Sequence, residues 1–390
     1  MPPTPHTNEE LARVRAELAA LGADFALITS DENVTYISQW EVPVDFGPSS
    51  ATRYVAPLAY FGVGDDVGGL IVSDSYAGGA RQHNTLGDVL TYPSFSVDGP
   101  TNPREGFLDA LRGVLSAADL GSATLAVEMK SLSAAALQLI NALYPNVKLI
   151  DAAPALEAAR AIKTEREIGL LRAVAEVNRA GHTELLAQTR ESGKSEFAIW
   201  SAVIQAMERK AGRSLFVFGE LVTGPRVSVV RYPGGPQHVT TQDGDMALMD
   251  MSVRLDGYYS DCTNTMVVGP VEPTATQKLY GVAAREAFHA AAEMLRPGRK
   301  AYEAYDAAKD TFTKHGLEIG HYAGHQIGVT VNENPRLVPW EQTEIRAGMV
   351  FSIETGAYEG PNGSSGSRME KSVIVHDSGP EIICDFEWGF

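Results

Sequence analysis

Residues 249–265 read Met-Asp-Met-Ser-Val-Arg-Leu-Asp-Gly-Tyr-Tyr-Ser-Asp-Cys-Thr-Asn-Thr. Asp256-Gly257 is a strong two-residue turn signal, and strand-forming residues flank it, so the stretch predicts a β-hairpin. Asp250 and Asp261 stand eleven residues apart, one on each arm. If the hairpin centre lies between 255 and 256, they face each other directly. If Asp256-Gly257 is itself the turn, Asp250 faces Thr263 and Asp261 is the diagonal neighbour. Both registers place the two carboxylates on one face of the sheet, because side-chain direction in a strand has period two. Like charges there repel, and a shared cation reverses the sign.

Three later stretches carry the same theme. Gly320–Gly328, GHYAGHQIG, sets His325 among glycines that permit close approach. Gly348–Gly356, GMVFSIETG, places Glu354 in an otherwise apolar strand, where a carboxylate is costly unless paired or metal-bound. Ser367–Val375, SRMEKSVIV, opens a β-branched strand with Glu370, whose neighbours Arg368 and Lys371 offer a plain salt bridge as the competing account. Four acids and one imidazole gathered in one place call for divalent cations.

The chain has 390 residues, which favours two domains over one core. Apolar residues make up 44% and charged residues 21%, the range of a soluble globular protein. The net charge of −17 argues against nucleic-acid binding, whose footprint is basic. No apolar run approaches a membrane span, and the N-terminus lacks the charge-then-apolar pattern of a signal peptide. The two cysteines, Cys262 and Cys384, make no disulfide framework, so a cytoplasmic protein is expected.

Residues 1–158 alternate strand and helix patterns. They open with a helix carrying Leu11, Val14, Leu18 and Leu21 and stopped at Gly22, followed by the strand ADFALITS. An α/β domain is predicted there. The boundary falls at a capping box, Thr164 with Glu167, which starts a helix whose stripe runs through Ile168, Leu171, Val174, Ala175 and Asn178. Residues 159–390 then carry a second helix to Gly212, glycine-rich strands, and a helix pair around 275–315.

Together and in this order, MDMSVRLDGYYSDCTNT, GHQIG followed by NENP, GMVFSIETGAY and SRMEKSVIV resemble the pita-bread metallohydrolases, in particular the creatinase/prolidase branch with its Xaa-Pro dipeptidases and aminopeptidases. The likeness extends to the junction AIKTEREIGLLRAVAEV and, more loosely, to LGADFALITSDENVTYIS, and so spans nearly the whole chain. It implies an N-terminal creatinase-like α/β domain and a C-terminal α+β pita-bread domain. It also implies two divalent ions, of manganese, cobalt, iron or zinc. Asp250 would chelate one ion, Asp261 and Glu370 would bridge both, and His325 and Glu354 would complete the site. The implied reaction is hydrolysis of a C–N bond by a bridging hydroxide, with Glu354 as proton shuttle. The resemblance further implies a homodimer, in which Trp40, Asp45, Arg53 and Tyr54 could line the partner's site; a plain surface loop is the alternative.

The departures bear on the substrate. Where peptidases of this branch carry a His seven residues after the metal His, this chain has Asn332, which can donate a hydrogen bond but cannot titrate. Where an upstream His is usual, Arg231 stands, suited to clamp a carboxylate, with His238 nearby. His321, four before the metal His, is retained. Asn332, His321 and Glu354 are therefore the catalytic candidates, and Arg231, His238 and Arg368 the substrate-binding ones. Three functions compete: an Xaa-Pro dipeptidase-like enzyme, a hydrolase or lyase of a small carboxylate-bearing metabolite (creatinase-like or ectoine-hydrolase-like), and an inactive scaffold. The full ligand set counts against the scaffold and against a true creatinase. Ser252, where the related lyases carry a further aspartate, counts against that activity.

Overall fold

The structure is a computed structural model that describes residues 8–44, 53–230 and 234–390. The chain divides into two compact units, Met1–Arg160 and Ala161–Phe390.

The first unit holds helices α1 (Glu9–Ala20), α2 (Asp31–Ser38), α3 (Ala77–His83), α4 (Pro103–Ala118) and α5 (Ala134–Leu143), with α6 (Ala153–Ala161) at its end. Its strands are β1 (Phe25–Ile28), β2 (Leu58–Gly62), β3 (Gly68–Ser73), β4 (Asp88–Tyr92), β5 (Thr124–Val127) and β6 (Lys148–Asp151). They form one mixed sheet in the order β4-β3-β2-β1-β5-β6, antiparallel at β1–β2 and β2–β3 and parallel elsewhere. Leu11, Val14 and Leu18 are buried as the helical stripe requires. Leu21 is instead 47% exposed, because it is the C-cap residue, beyond the last helical turn. Asp45 lies outside the described residues; Trp40 is buried beside Tyr76, and Arg53 forks onto Asp31 at 2.9 and 3.1 Å.

The second unit opens with α7 (Glu165–Thr189), whose N-terminus closes through the reciprocal Thr164/Glu167 capping box. Helix α8 (Glu196–Ala211) stops at Gly212 in the left-handed region. Strands β7 (Phe216–Thr223), β8 (Met246–Leu255) and β9 (Tyr258–Val267) precede the helix pair α9 (Ala275–Met294) and α10 (Ala301–Lys314). Strands β10 (Gly324–Gln326), β11 (Glu333–Arg336), β12 (Val350–Tyr358), β13 (Gly366–His376) and β14 (Gly379–Ile382) follow. One sheet results, ordered β11-β10-β12-β13-β9-β8-β7, with β14 beside β13.

Alternation along these strands separates two faces. Met249, Met251 and Val253 of β8 pack with Val174 and Val177 of α7 and Ile199 and Val203 of α8. Met369 and Val373 of β13 join Phe351 and Ile353 of β12 against Phe288 of α9 and Phe312 of α10. Full burial of each such side chain contributes roughly 1.5–3 kcal/mol. The intervening residues, Asp250, Asp261, Glu354 and Glu370 among them, face the other way. Lys371 belongs to the helix-covered face: its ammonium is buried, bonded to Asp385 at 2.7 Å and to the Phe386 carbonyl at 2.6 Å, and lies over the Trp388 ring. It is therefore no partner for Glu370.

Candidate metal centre

Asp256 and Gly257 both have positive φ, 51° and 86°, as a two-residue type I′ turn demands. Of the two registers the sequence allows, this turn selects the one pairing Asp250 with Thr263 and Ser252 with Asp261. The pairing continues across five strands. Glu220 lies opposite Asp250, Thr263 opposite Glu370, and Glu370 opposite Glu354. One transverse row thus reads Glu220, Asp250, Thr263, Glu370, Glu354. Gly219, beside the row, permits the strands to meet: a Cβ there would stand 2.0 Å from the Asp250 carbonyl oxygen.

His325 reaches the row from β10. Its Nδ1–H donates to the Gln326 carbonyl at 2.9 Å. That bond fixes the ring and turns Nε2 toward Glu354 Oε1 at 3.4 Å and Asp261 Oδ2 at 3.7 Å. Ligand atoms of Asp261, His325 and Glu370 all lie within 4.8 Å of one another. The ligand candidates are braced from behind. Ser252 Oγ donates to Asp261 Oδ1 at 2.7 Å, and Thr263 Oγ1 donates to Glu370 Oε2 at 2.7 Å. Arg368 gives one nitrogen to both Asp250, at 2.7 Å, and Glu220, and another to Tyr358 at 3.3 Å.

The charge balance is unfavourable within the protein alone. Burial raises Asp250 and Glu370 well above the carboxylate range, and neighbouring acids add to it. Asp261 is raised too, by burial that His325 only partly offsets. Glu354 moves the other way: burial opposes ionisation, yet the hydrogen bond from His325 and the charge of Arg368 help hold it down at about 2. Asp250 Oδ1 and Glu370 Oε1 are buried without a hydrogen-bond partner among the described residues. Buried, unpartnered carboxylate oxygens beside an oriented imidazole fit divalent ions, whose charge and open coordination positions satisfy both.

A cavity of about 490 Å³ opens over this face. His321, Tyr322, Asn332 and Arg368 line it with Asp250, Asp261, His325 and Glu354. His321 donates from Nδ1 to the Tyr322 carbonyl at 2.8 Å and accepts at Nε2 from Tyr358 OH at 3.2 Å; burial lowers its pKa. Asn332 donates to Tyr322 OH at 3.3 Å and accepts from Arg336 at 2.9 Å. Of the two remaining substrate candidates, His238 alone is among the described residues. Arg231 lies outside the described residues. His238 is exposed and packs on Phe197 of α8, ring centroids 5.0 Å apart, so the fold does not bring it to the cavity residues. Glu220 was not among the sequence candidates. An acid within FVFGELVT carries the same signal that marks Glu354, a carboxylate in an apolar strand.

The profile of the metallopeptidase family M24 matches residues 169–377, more than half of the chain. The chain belongs to that family. Residues 10–162 match the creatinase/prolidase N-terminal domain. An Xaa-Pro dipeptidase of Lactobacillus helveticus is 31% identical over 260 residues, 66% of this chain and 69% of that protein. An uncharacterised peptidase of Bacillus subtilis (strain 168), YqhT, is 23% identical and covers 96% of this chain and 97% of its own length. Among solved structures, an Xaa-Pro dipeptidase from Bacillus anthracis superposes with a TM-score of 0.79 at 22% identity, covering 97% of this chain and 98% of that one. The prolidase from Pyrococcus horikoshii OT3 gives 0.79 at 22%, covering 97% and 99%. These likenesses establish the creatinase-like plus pita-bread architecture and an M24 metallopeptidase-type enzyme, and they favour the peptidase reading over the small-metabolite alternative. Among the described residues no helix is long and apolar enough to cross a membrane.

Proposed function

We propose that this M24 metallopeptidase is an Xaa-Pro dipeptidase that hydrolyses the amide bond with two divalent ions held by Asp250, Asp261, His325, Glu354 and Glu370. The observation that carries the reading is the row of acids on one sheet face, with buried carboxylate oxygens that no described residue satisfies. Bound there, divalent ions would supply Lewis acidity and make a water acidic enough to attack a carbonyl carbon at neutral pH. Either manganese, cobalt, iron or zinc suits the donor set.

The chain's own residues divide the remaining work. Glu354, held ionised, accepts a proton from the attacking water and returns it to the departing nitrogen as the C–N bond breaks. The Asn332 amide stands at the cavity wall, where it can donate to the oxygen that gains charge, while His321, kept neutral by burial, gives its one N–H to the Tyr322 carbonyl and so positions that wall. Arg368 holds Asp250 in place, and its single charge is spread over two carboxylates. A homodimer in the cytoplasm completes the proposal, supported by the family resemblance and the acidic, cysteine-poor composition.

The test is metal analysis of purified protein by mass spectrometry, coupled to a panel of Xaa-Pro dipeptides, creatine, small amides and guanidino acids. About two equivalents of metal and chelator-sensitive cleavage of Xaa-Pro dipeptides are expected. Turnover of creatine or a guanidino acid with no Xaa-Pro cleavage would transfer the assignment to the small-metabolite class.

A further inference from the structure

The N-terminal unit also holds a cavity, about 560 Å³, which shares no residue with the metal centre. Its walls are a sheet face carrying Phe25, Tyr60 and Leu90 and the last turns of α4 around Val114 and Ala117. The size suits a small organic molecule.

Two features mark a built site rather than a packing gap. The first is Tyr60. Its partner on β3 is Gly69, which in turn pairs with Asp88 on β4, so the Tyr60 ring lies across a bare strand toward Asp88. A Cβ at position 69 would stand 2.5 Å from the Tyr60 hydroxyl oxygen. Tyr60 is only 6% exposed and lines the cavity, yet its hydroxyl has no hydrogen-bond partner among the described residues. It is not one of the sealed polar atoms, so the little surface the residue keeps includes the hydroxyl. A buried phenol is normally bonded, and this one has a donor and an acceptor to offer. Burial, and then the Asp88 charge, raise its pKa and keep it neutral. The second feature is Gly113. Glycine inside a helix is unfavourable beside alanine unless packing demands it. At Gly106 packing does, since a Cβ would stand 3.1 Å from Pro93. At Gly113 a Cβ would meet nothing within 4 Å, and the missing side chain leaves the cavity open.

The charge has one sign. Asp24, Asp65 and Asp88 line the cavity, and no described Lys, Arg or His does. Asp24 and Asp65 each accept one backbone N–H, from Thr124 at 2.8 Å and Val67 at 2.9 Å, and none of the three is ion-paired among the described residues. Arg15 lies over Phe61, on the opposite face of β2 from Tyr60. Helix α4 ends at the cavity wall, with the partial negative charge of its last carbonyls and no basic residue in its last turn. An apolar body would fill these walls, and a cation would meet the acids.

We propose that this cavity binds a small organic cation, a protonated primary amine on an apolar or aromatic body, whose ammonium group meets the Asp88 carboxylate and the Tyr60 hydroxyl. The site stands apart from peptide hydrolysis and does not rest on the dipeptidase reading. The probe is 2-phenylethylamine, titrated calorimetrically into the full-length, metal-loaded protein beside 2-phenylethanol, which has a hydroxyl in place of the ammonium. Wild type should bind one equivalent of the amine, and the alcohol about tenfold or more weakly. Asp88→Asn and Tyr60→Phe should each weaken amine binding about tenfold, the scale of one hydrogen bond to a charged group, and Asp88→Asn should leave the alcohol unaffected. Gly113→Leu should fill the cavity and abolish binding of both. Asp88 is exposed, so its variant decides the matter even if Gly113→Leu fails to fold. Equal affinity for amine and alcohol, amine binding that Asp88→Asn leaves unchanged, or no binding of the amine at millimolar concentration overturns the proposal and leaves the cavity as a packing gap.

Discussion

The acids of the candidate centre and the polar residues at its rim are held in different ways. Asp250, Asp261, Glu354 and Glu370 stand on four strands of one sheet, and ladder pairing brings them together. His321, Tyr322 and Asn332 stand on segments around the short strand β10 and are fixed by side-chain hydrogen bonds: Asn332 to Tyr322 and Arg336, His321 to the Tyr322 carbonyl and Tyr358. A sheet turns position in sequence into position in space through a period of two, so its ligand set is rigid and replaceable only one residue at a time. A rim built from side chain to side chain contacts can be re-tailored to a new substrate while the centre stays intact.

Asp261→Ala strikes the rigid region and carries the largest expected effect. Metal content should collapse and turnover should fall by about 10⁴-fold, the scale of removing an essential group. Surviving turnover would mean that chemistry does not depend on the sheet-borne row. Asn332→Ala strikes the rim. Metal content should hold while kcat/KM drops about 10- to 100-fold, the scale of one donor lost. Asn332→His should add an ionisation near neutrality to the pH profile of kcat/KM. A metal loss in either Asn332 variant would erase the distinction between rim and row.

The smallest effect is one of stability. Asp250, Asp261 and Glu370 have folded pKa values raised above the unfolded value of about 4, so the folded state binds more protons than the unfolded one. Their contribution is complete below that value and is lost as pH rises through the folded pKa values. Glu354, lowered to about 2, acts in the opposite sense and only at strongly acidic pH. Relative to an Asp250→Asn variant, the Tm of chelator-treated wild type should therefore fall as pH rises above about 4, and added divalent metal should flatten that difference. A difference that does not change with pH would show that the row is not electrostatically frustrated.

The same contrast explains what could be read from sequence. Asp250 and Asp261 were assignable to one face because either hairpin register gives that result; choosing between registers needed the two positive φ angles at Asp256 and Gly257. Glu354 was visible as an acid among apolar neighbours. Glu220 satisfied the same criterion, but its meaning depended on a strand pairing, Glu220 with Asp250, that no local pattern encodes. His238 was misplaced because residues between β7 and β8 follow no period, so distance along the chain said nothing about direction. The contribution of Arg368 also escaped, since a cation two residues from Glu370 reads as its partner, whereas the fold aims it at Asp250 and Glu220. In the N-terminal unit, β2 and β4 went unread among short apolar segments that periodicity alone cannot classify.

The turn at Asp256-Gly257 has a consequence for heredity. A single codon inserted at its tip, if the shift carried through β9, would bring Ser260, Cys262 and Asn264 to the cavity and drive Asp261 into the helix-covered layer. Every ligand codon would remain intact in the gene, and a comparison of aligned letters would still score the site as complete. Among descendants of this chain, the length of that hairpin is thus as much a part of the active-site inheritance as the acids themselves.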